Sequence, residues 1–277
     1  MERPQPRVRV SLSNNGCTRY GSGVVNARVV LECTTPETFA AAVAAVTAPP
    51  SRTVLAVPSG LLRDLEVSGP VRELIERRAA ELVAYQNSKT AVAYAAVVQE
   101  VWKAERLLGD RTEFSSAVAE GMFKLTAYKD EYEVARLLTD PAFTAAVATE
   151  FAGATTLTYR LHPPVLRSLG RKKKIGFGPR SHFALRLLAK AKPLRGTIFD
   201  PFGYTAMRRT ERALADHYRT MVRNATRSLT DDTYDTATAL AQTSDLIRGY
   251  ESVKLASIER YRRRLNELGY QAPSLPL

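Results

Sequence analysis

Arg171-Lys172-Lys173-Lys174 is the densest group of chemically capable side chains in this sequence. Four consecutive cations sit in a glycine-containing stretch, RSLGRKKKIGFGPR (167–180). Two readings stand side by side: an anion clamp for a phosphate, a coenzyme A tail or nucleic acid, or a solvated loop. Only Phe177 and Phe183 lie beside it, which argues against a base-stacking platform. The other candidates are sparser. His162, His182 and His217 are far apart, and none has a helical partner three or four residues on, so no metal site is expected. Cys17 and Cys33 are too few for a four-thiolate cluster and read as two free thiols. Gly109-Asp110 is followed by Arg111, so it lacks the second glycine of a magnesium-diphosphate motif. There is no Gly-x-Ser-x-Gly elbow and no Gly-x-Gly-x-x-Gly turn after a strand. No catalytic, cofactor-binding or metal-ligating residue is assigned on these grounds.

Charge adds a location. The 277 residues carry 40 Lys and Arg against 28 Asp and Glu, a net of +12. From Arg160 to Arg227 there are 17 cations against Asp200, Glu211 and Asp216, which is 17 − 3 = +14, so the remainder carries 12 − 14 = −2. A regional excess of this kind points to an acidic partner, whether coenzyme A, another polyanion or a protein face. Arg208, Arg209 and Arg212 contribute to it from the polar side of an expected helix, where they also fit an intersubunit surface. No apolar run approaches the ~20 residues of a membrane span. The start, MERPQPRVRV, lacks the apolar core of a signal peptide, so a cytoplasmic location is expected.

The elements that must position these groups read as mainly α: a multi-helix domain with at most one small strand pair. Residues 1–34 form an unmatched N-terminal segment, with a strand expected near 24–31. Residues 35–70 form a helix and linker, begun by Thr35-Pro36-Glu37 and broken at Pro49-Pro50. A helical domain fills 71–277. Apolar spacing predicts one long helix over 71–108, interrupted by a polar pair, Gln86 and Thr90, facing the core. A second runs from a Thr112 cap to Thr139, with Lys129 and Glu133 one turn apart, and a further helix runs from Asp140-Pro141 to about Phe151. The Thr-rich stretch 154–160 reads as a strand whose only visible mate is 24–31. Helices follow at 181–191, 205–229 (Met207, Leu214, Tyr218, Met221, Val222, Ala225, Leu229), 230–242 and 250–268, the last burying Leu255, Ile258, Tyr261, Leu265 and Leu268. Asp200-Pro201-Phe202-Gly203 has the chemistry of a turn, with Phe199 and Phe202 expected to pin it to the core.

Several segments carry a resemblance: ERRAAELVAYQNSKTAVAY (76–94), KLTAYKDEYEVARLLTD (124–140), FGP (177–179), LRGTIFDPFGY (194–204) and IRGYESVK (247–254). Over about 71–268 the chain resembles the uncharacterised C-terminal domain of bacterial indolepyruvate:ferredoxin oxidoreductases, within the 2-oxoacid:ferredoxin oxidoreductase family. The resemblance implies an enzyme that oxidatively decarboxylates aryl-2-oxoacids to aryl-acetyl-CoA, using thiamine diphosphate, magnesium and iron–sulfur clusters. Those groups belong to domains upstream of the region matched here, so none is carried onto this chain. The sequence departs from the family where Arg180-Ser181-His182 follow FGP. The expectation is an accessory structural domain, a split or truncated product not catalytic alone, with the catalytic domains or subunits as partners. The competing expectation is a stand-alone basic helical protein that binds nucleic acid or another polyanion.

Overall fold

The computed structural model describes residues 9–12, 18–20, 23–25, 27–30, 55–143, 145, 156–161, 175–177, 181–249 and 251–276. The described residues are mainly helical, as the apolar spacing predicts. None of their helices is long and apolar enough to cross a membrane. The chain divides into two units that are each discontinuous in sequence. The first contains 1–54 and 129–195; the second contains 55–128 and 196–277. The helical stretch expected over 71–277 is therefore shared between them.

The first unit holds the strands. β1 (Arg9–Leu12) lies antiparallel to β4 (Ala27–Val30) and parallel to β5 (Thr156–Leu161), and β5 is antiparallel to β6 (Ile175–Phe177). The order is β4-β1-β5-β6, with Val10 facing Val29 on one side and Leu157 on the other. β2 (Thr18–Tyr20) and β3 (Gly23–Val25) pair separately. The strand expected at 154–160 is present as β5, whereas the one expected near 24–31 is divided between β3 and β4 in different sheets, and β1 stands between β4 and β5. The expected helix at 35–49, both cysteines and the run Arg171 to Lys174 lie outside the described residues, as does most of the helix expected to reach Phe151.

Among the described residues this unit also holds two helices, α4 (Glu131–Leu138) packed against α5 (Ser181–Lys190). The expected helix over 112–139 stops at Ala127, and Asp130 starts a new one by accepting a hydrogen bond from the Glu133 amide at 2.9 Å. The same buried carboxylate takes both nitrogens of a fork from Arg195, whose guanidinium also lies 5.6 Å from the Tyr132 ring centre. Glu133 pairs with Arg136 one turn on.

The second unit is a helical cluster of α1 (Gly69–Tyr85), α2 (Ser88–Arg106), α3 (Glu113–Thr126), α6 (Ala206–Arg227), α7 (Tyr234–Gln242) and α8 (Glu251–Glu267). The expected helix over 71–108 is cut at Gln86-Asn87. Asn87 is extended, and its side chain accepts from the Thr90 amide at 2.9 Å and the Thr90 hydroxyl at 3.1 Å, so Thr90 is a capping partner rather than a core polar group. Ile75, Leu82, Val98, Val101, Phe114, Leu214, Tyr218, Met221, Ile258, Tyr261 and Leu265 are almost wholly buried. Each such side chain contributes roughly 1.5–3 kcal/mol on removal from water. Arg78 bridges α1 to α3 by gripping Glu120 through two nitrogens while lying 4.4 Å over the Phe123 ring.

Thr112, expected to cap α3, makes no side-chain capping bond. Glu105, near the end of α2, does so from outside the helix. It is fully buried and accepts from the amides of Phe114 (2.9 Å) and Ser115 (3.0 Å) and from the Tyr234 hydroxyl (2.7 Å). That hydroxyl also lies 2.7 Å from Glu113, so one phenolic proton serves two carboxylates in turn. Burial, followed by these two acceptors, pushes the Tyr234 phenol well above its ordinary range.

The C-terminal segment is fastened to α6. Gly269 ends α8 at φ +72°, a conformation suited to glycine, and the Tyr270 amide donates back to Leu265 O at 2.9 Å. Thr210 donates to Pro276 O at 3.0 Å, and His217 lies 3.4 Å from Gln271 O and 3.2 Å from the Tyr261 hydroxyl. The carbonyl requires Nε2 to carry the proton, which leaves Nδ1 to accept from Tyr261. Burial then holds the imidazole below its ordinary value, against the weaker opposing pull of the Gln271 carbonyl. The unfolded chain binds a proton at His217 more readily than the folded one does. Stability is therefore full above about pH 6.5 and declines as the pH falls from there toward the folded value. Urea midpoints taken from about pH 7.5 down to about pH 5.5 should fall more steeply for the wild type than for His217→Gln. Equal slopes would show that His217 is not the group responsible.

Candidate interaction surface

The loop between residues 196 and 205 is built around one aspartate. Asp200 is buried and accepts from the Gly196 amide at 2.8 Å and the Phe202 amide at 3.1 Å, as the Asp-Pro-Phe-Gly chemistry implies. Backbone bonds from Asp200 N to Thr197 O, Gly203 N to Asp200 O and Thr205 N to Phe202 O close successive turns. Thr205 then caps α6 by accepting from the Arg208 amide. A Cβ on Gly203 would stand 2.7 Å from Asp200 Oδ2, inside van der Waals contact. Gly203→Ala is expected to displace that carboxylate and cost about 1–2 kcal/mol. Faster amide exchange confined to residues 196–204 would verify this, and unchanged exchange would rule it out.

Phe202 is half-buried, but Phe199 is not the anchor expected from the sequence. Ile198, Phe199 and Tyr204 are 77%, 72% and 66% exposed. The Tyr204 hydroxyl donates to Ile198 O at 2.7 Å and keeps its ring beside the loop. A hydrogen-bonded scaffold therefore turns apolar side chains outward.

Beneath it lies a charged cluster. Glu211 is buried one turn into α6, and its two oxygens meet Arg208 on its own helix and Lys254 at the start of α8. Arg208 also lies 5.7 Å from the centre of the Tyr128 ring, which packs edge-on against Tyr85 at 6.3 Å. Arg212 donates to Gly203 O at 2.7 Å and so ties the loop to the same two turns of helix. Sequence reasoning placed Arg208, Arg209 and Arg212 together on a polar face. Of the three only Arg209 is exposed, because Glu211 turns Arg208 inward and the loop carbonyl holds Arg212. Lys254 and Tyr128 were missed, and only their place inside resemblance-bearing segments marked them. Val253 and Leu255 flank Lys254 and are exposed, so Leu255 is not the core residue expected.

Neighbouring residues of α6 thus collect two distant segments: 196–204 through Arg212, and the start of α8 through Glu211. A family of unknown function (DUF6537) matches residues 71–267. The chain belongs to this family. The DUF6537 region begins in α1, ends with the last residue of α8 and includes every residue of the cluster, while β1 to β4 lie outside it. The comparisons with curated proteins and with solved structures return no match.

The charged groups at the turn between α2 and α3 are paired within the fold. Asp110 engages Arg106, and Arg111 engages Asp231 at 3.0 Å while lying 4.7 Å over the Tyr234 ring. Gly109-Asp110-Arg111 therefore does not fit a magnesium-diphosphate site: its aspartate is an exposed helix-end partner, and its arginine is committed elsewhere. Among the described residues no three His, Cys, Asp or Glu side chains are grouped for a metal ion. His182 and His217 lie in separate units, and His162 is outside the described residues.

Proposed function

We propose that this chain is an accessory, structural domain of a bacterial, cytoplasmic indolepyruvate:ferredoxin oxidoreductase. It works beside the catalytic domains or subunits and does not turn over substrate alone. In this reading the whole enzyme decarboxylates aryl-2-oxoacids to aryl-acetyl-CoA, and the thiamine diphosphate, magnesium and clusters belong to the partner polypeptides.

The observation that carries the proposal is the convergence on α6. LRGTIFDPFGY, IRGYESVK and KLTAYKDEYEVARLLTD, which bear the resemblance, supply Gly203, Lys254 and Tyr128 to one cluster around Arg208, Glu211 and Arg212. The resemblance and the DUF6537 match also cover nearly the same residues, 71–268 and 71–267. Three dispersed segments that meet in space support a shared structural role.

The test mixes the purified chain with the thiamine- and cluster-carrying remainder of such an enzyme, and separately with DNA or RNA, across a salt series. Co-elution with the oxidoreductase is the expected result. Binding to nucleic acid that weakens steeply with salt, without co-elution, overturns the reading in favour of a polyanion-binding protein.

A further inference from the structure

The cluster on α6 decides what the loop offers to solvent. Residues 196–212 present no exposed carboxylate: Asp200 is buried under the loop amides, and Glu211 is buried between Arg208 and Lys254. Two of the three arginines are also turned in, Arg208 onto Glu211 and Arg212 onto Gly203 O. Ile198, Phe199 and Tyr204 are therefore the large apolar side chains that this stretch exposes, and Arg209 is its exposed charge. Phosphate-backbone recognition requires cations that reach outward in numbers, and here they are internal. Apolar side chains on a loop already fixed by hydrogen bonds lose little freedom when they dock.

From this geometry we infer that the 196–204 loop is a docking element for a protein surface with an apolar recess. Ile198 and Phe199 enter the recess, and Arg209 meets carboxylates on its rim. Complementarity fixes the sign of that rim, because the docking face has a cation and no accessible acid. The partner is the catalytic remainder of the oxidoreductase, so this inference rests on the accessory reading above.

The full-length chain is titrated against that thiamine- and cluster-carrying remainder by calorimetry or interferometry. Ile198→Ala and Phe199→Ala are each expected to weaken binding about tenfold or more, since buried apolar anchors dominate such interfaces. Arg209→Glu should weaken it several-fold, and most at low salt. Leu107→Ala, at a residue 87% exposed beyond the end of α2, should bind like the wild type. Because these side chains are exposed, thermal melts of all four variants should match the wild type, which separates lost docking from lost folding. If the wild type binds and the Ile198 and Phe199 variants bind equally well, the docking inference is wrong and the accessory role stands. If the wild type does not bind at all, both fall. If the loop variants instead lose affinity for a single-stranded RNA probe, the loop is a nucleic-acid element and the inference is overturned.

Discussion

Glu105→Ala is expected to destabilise the chain by about 3–5 kcal/mol. The side chain is fully buried, and its two oxygens satisfy the first amides of α3 and the Tyr234 hydroxyl. Alanine removes the cap of α3 and leaves the Phe114 and Ser115 amides without an acceptor, away from water. Each orphaned donor costs on the order of 1–3 kcal/mol, more than the bond itself contributes. Glu105→Gln tests the mechanism rather than the volume. Its carbonyl can serve Phe114 and Tyr234, but its amide nitrogen then faces the Ser115 N–H, donor against donor. The glutamine variant should therefore lose less than the alanine variant yet remain well below wild type in a urea melt. A glutamine variant as stable as the wild type would mean that the carboxylate is not the cap.

Gly121→Ala should cost about 3 kcal/mol through overpacking. In the middle of α3 the added Cβ would lie 2.2 Å from the Tyr218 hydroxyl, 2.6 Å from its Cζ and 2.7 Å from Ser244 Oγ. Tyr218 has no room to retreat, because it is fully buried and its hydroxyl donates to Ala241 O at 2.8 Å. Glycine here is a packing requirement, unlike at Gly269, where the backbone demands it. Tyr218→Phe alone should lose about 1 kcal/mol with that hydrogen bond. Introduced beside Gly121→Ala it removes the nearest atom, so the double variant should be more stable than the two separate losses predict. Strict additivity in the double-mutant cycle would place the cost elsewhere.

Much of the helical architecture was legible because its signal is periodic. The stripe of Leu214, Tyr218, Met221 and Val222 faces the core as expected, and Ser181–Lys190, Ala206–Arg227 and Glu251–Glu267 lie close to their predicted bounds. Helix breaks were less legible. Apolar spacing runs straight across Gln86-Asn87 and across Ala127 to Asp130, and only the capping chemistry of Asn87 and Asp130 marks the interruption. β1 was missed although its sequence, RVSL, alternates, because its partners are remote in the chain. The surface was the least legible part. Nothing local distinguishes the outward Phe199 from the half-buried Phe202, and the inward turn of Arg208 depends on Glu211 and a lysine from α8.

The parallel pairing of β1 with β5 has a consequence for biosynthesis. β1 is translated before α1, α2, α3 and α4, and its parallel neighbour β5 only after all four. α3 waits in the same way for Tyr218 of α6. Neither half can finish folding from one uninterrupted stretch of nascent chain, so closure depends on distant contacts and is slow. A gene shortened at its 3′ end before α6 would leave both Gly121 and the α1–α3 core without their lid, and such a product should be degraded rather than accumulate.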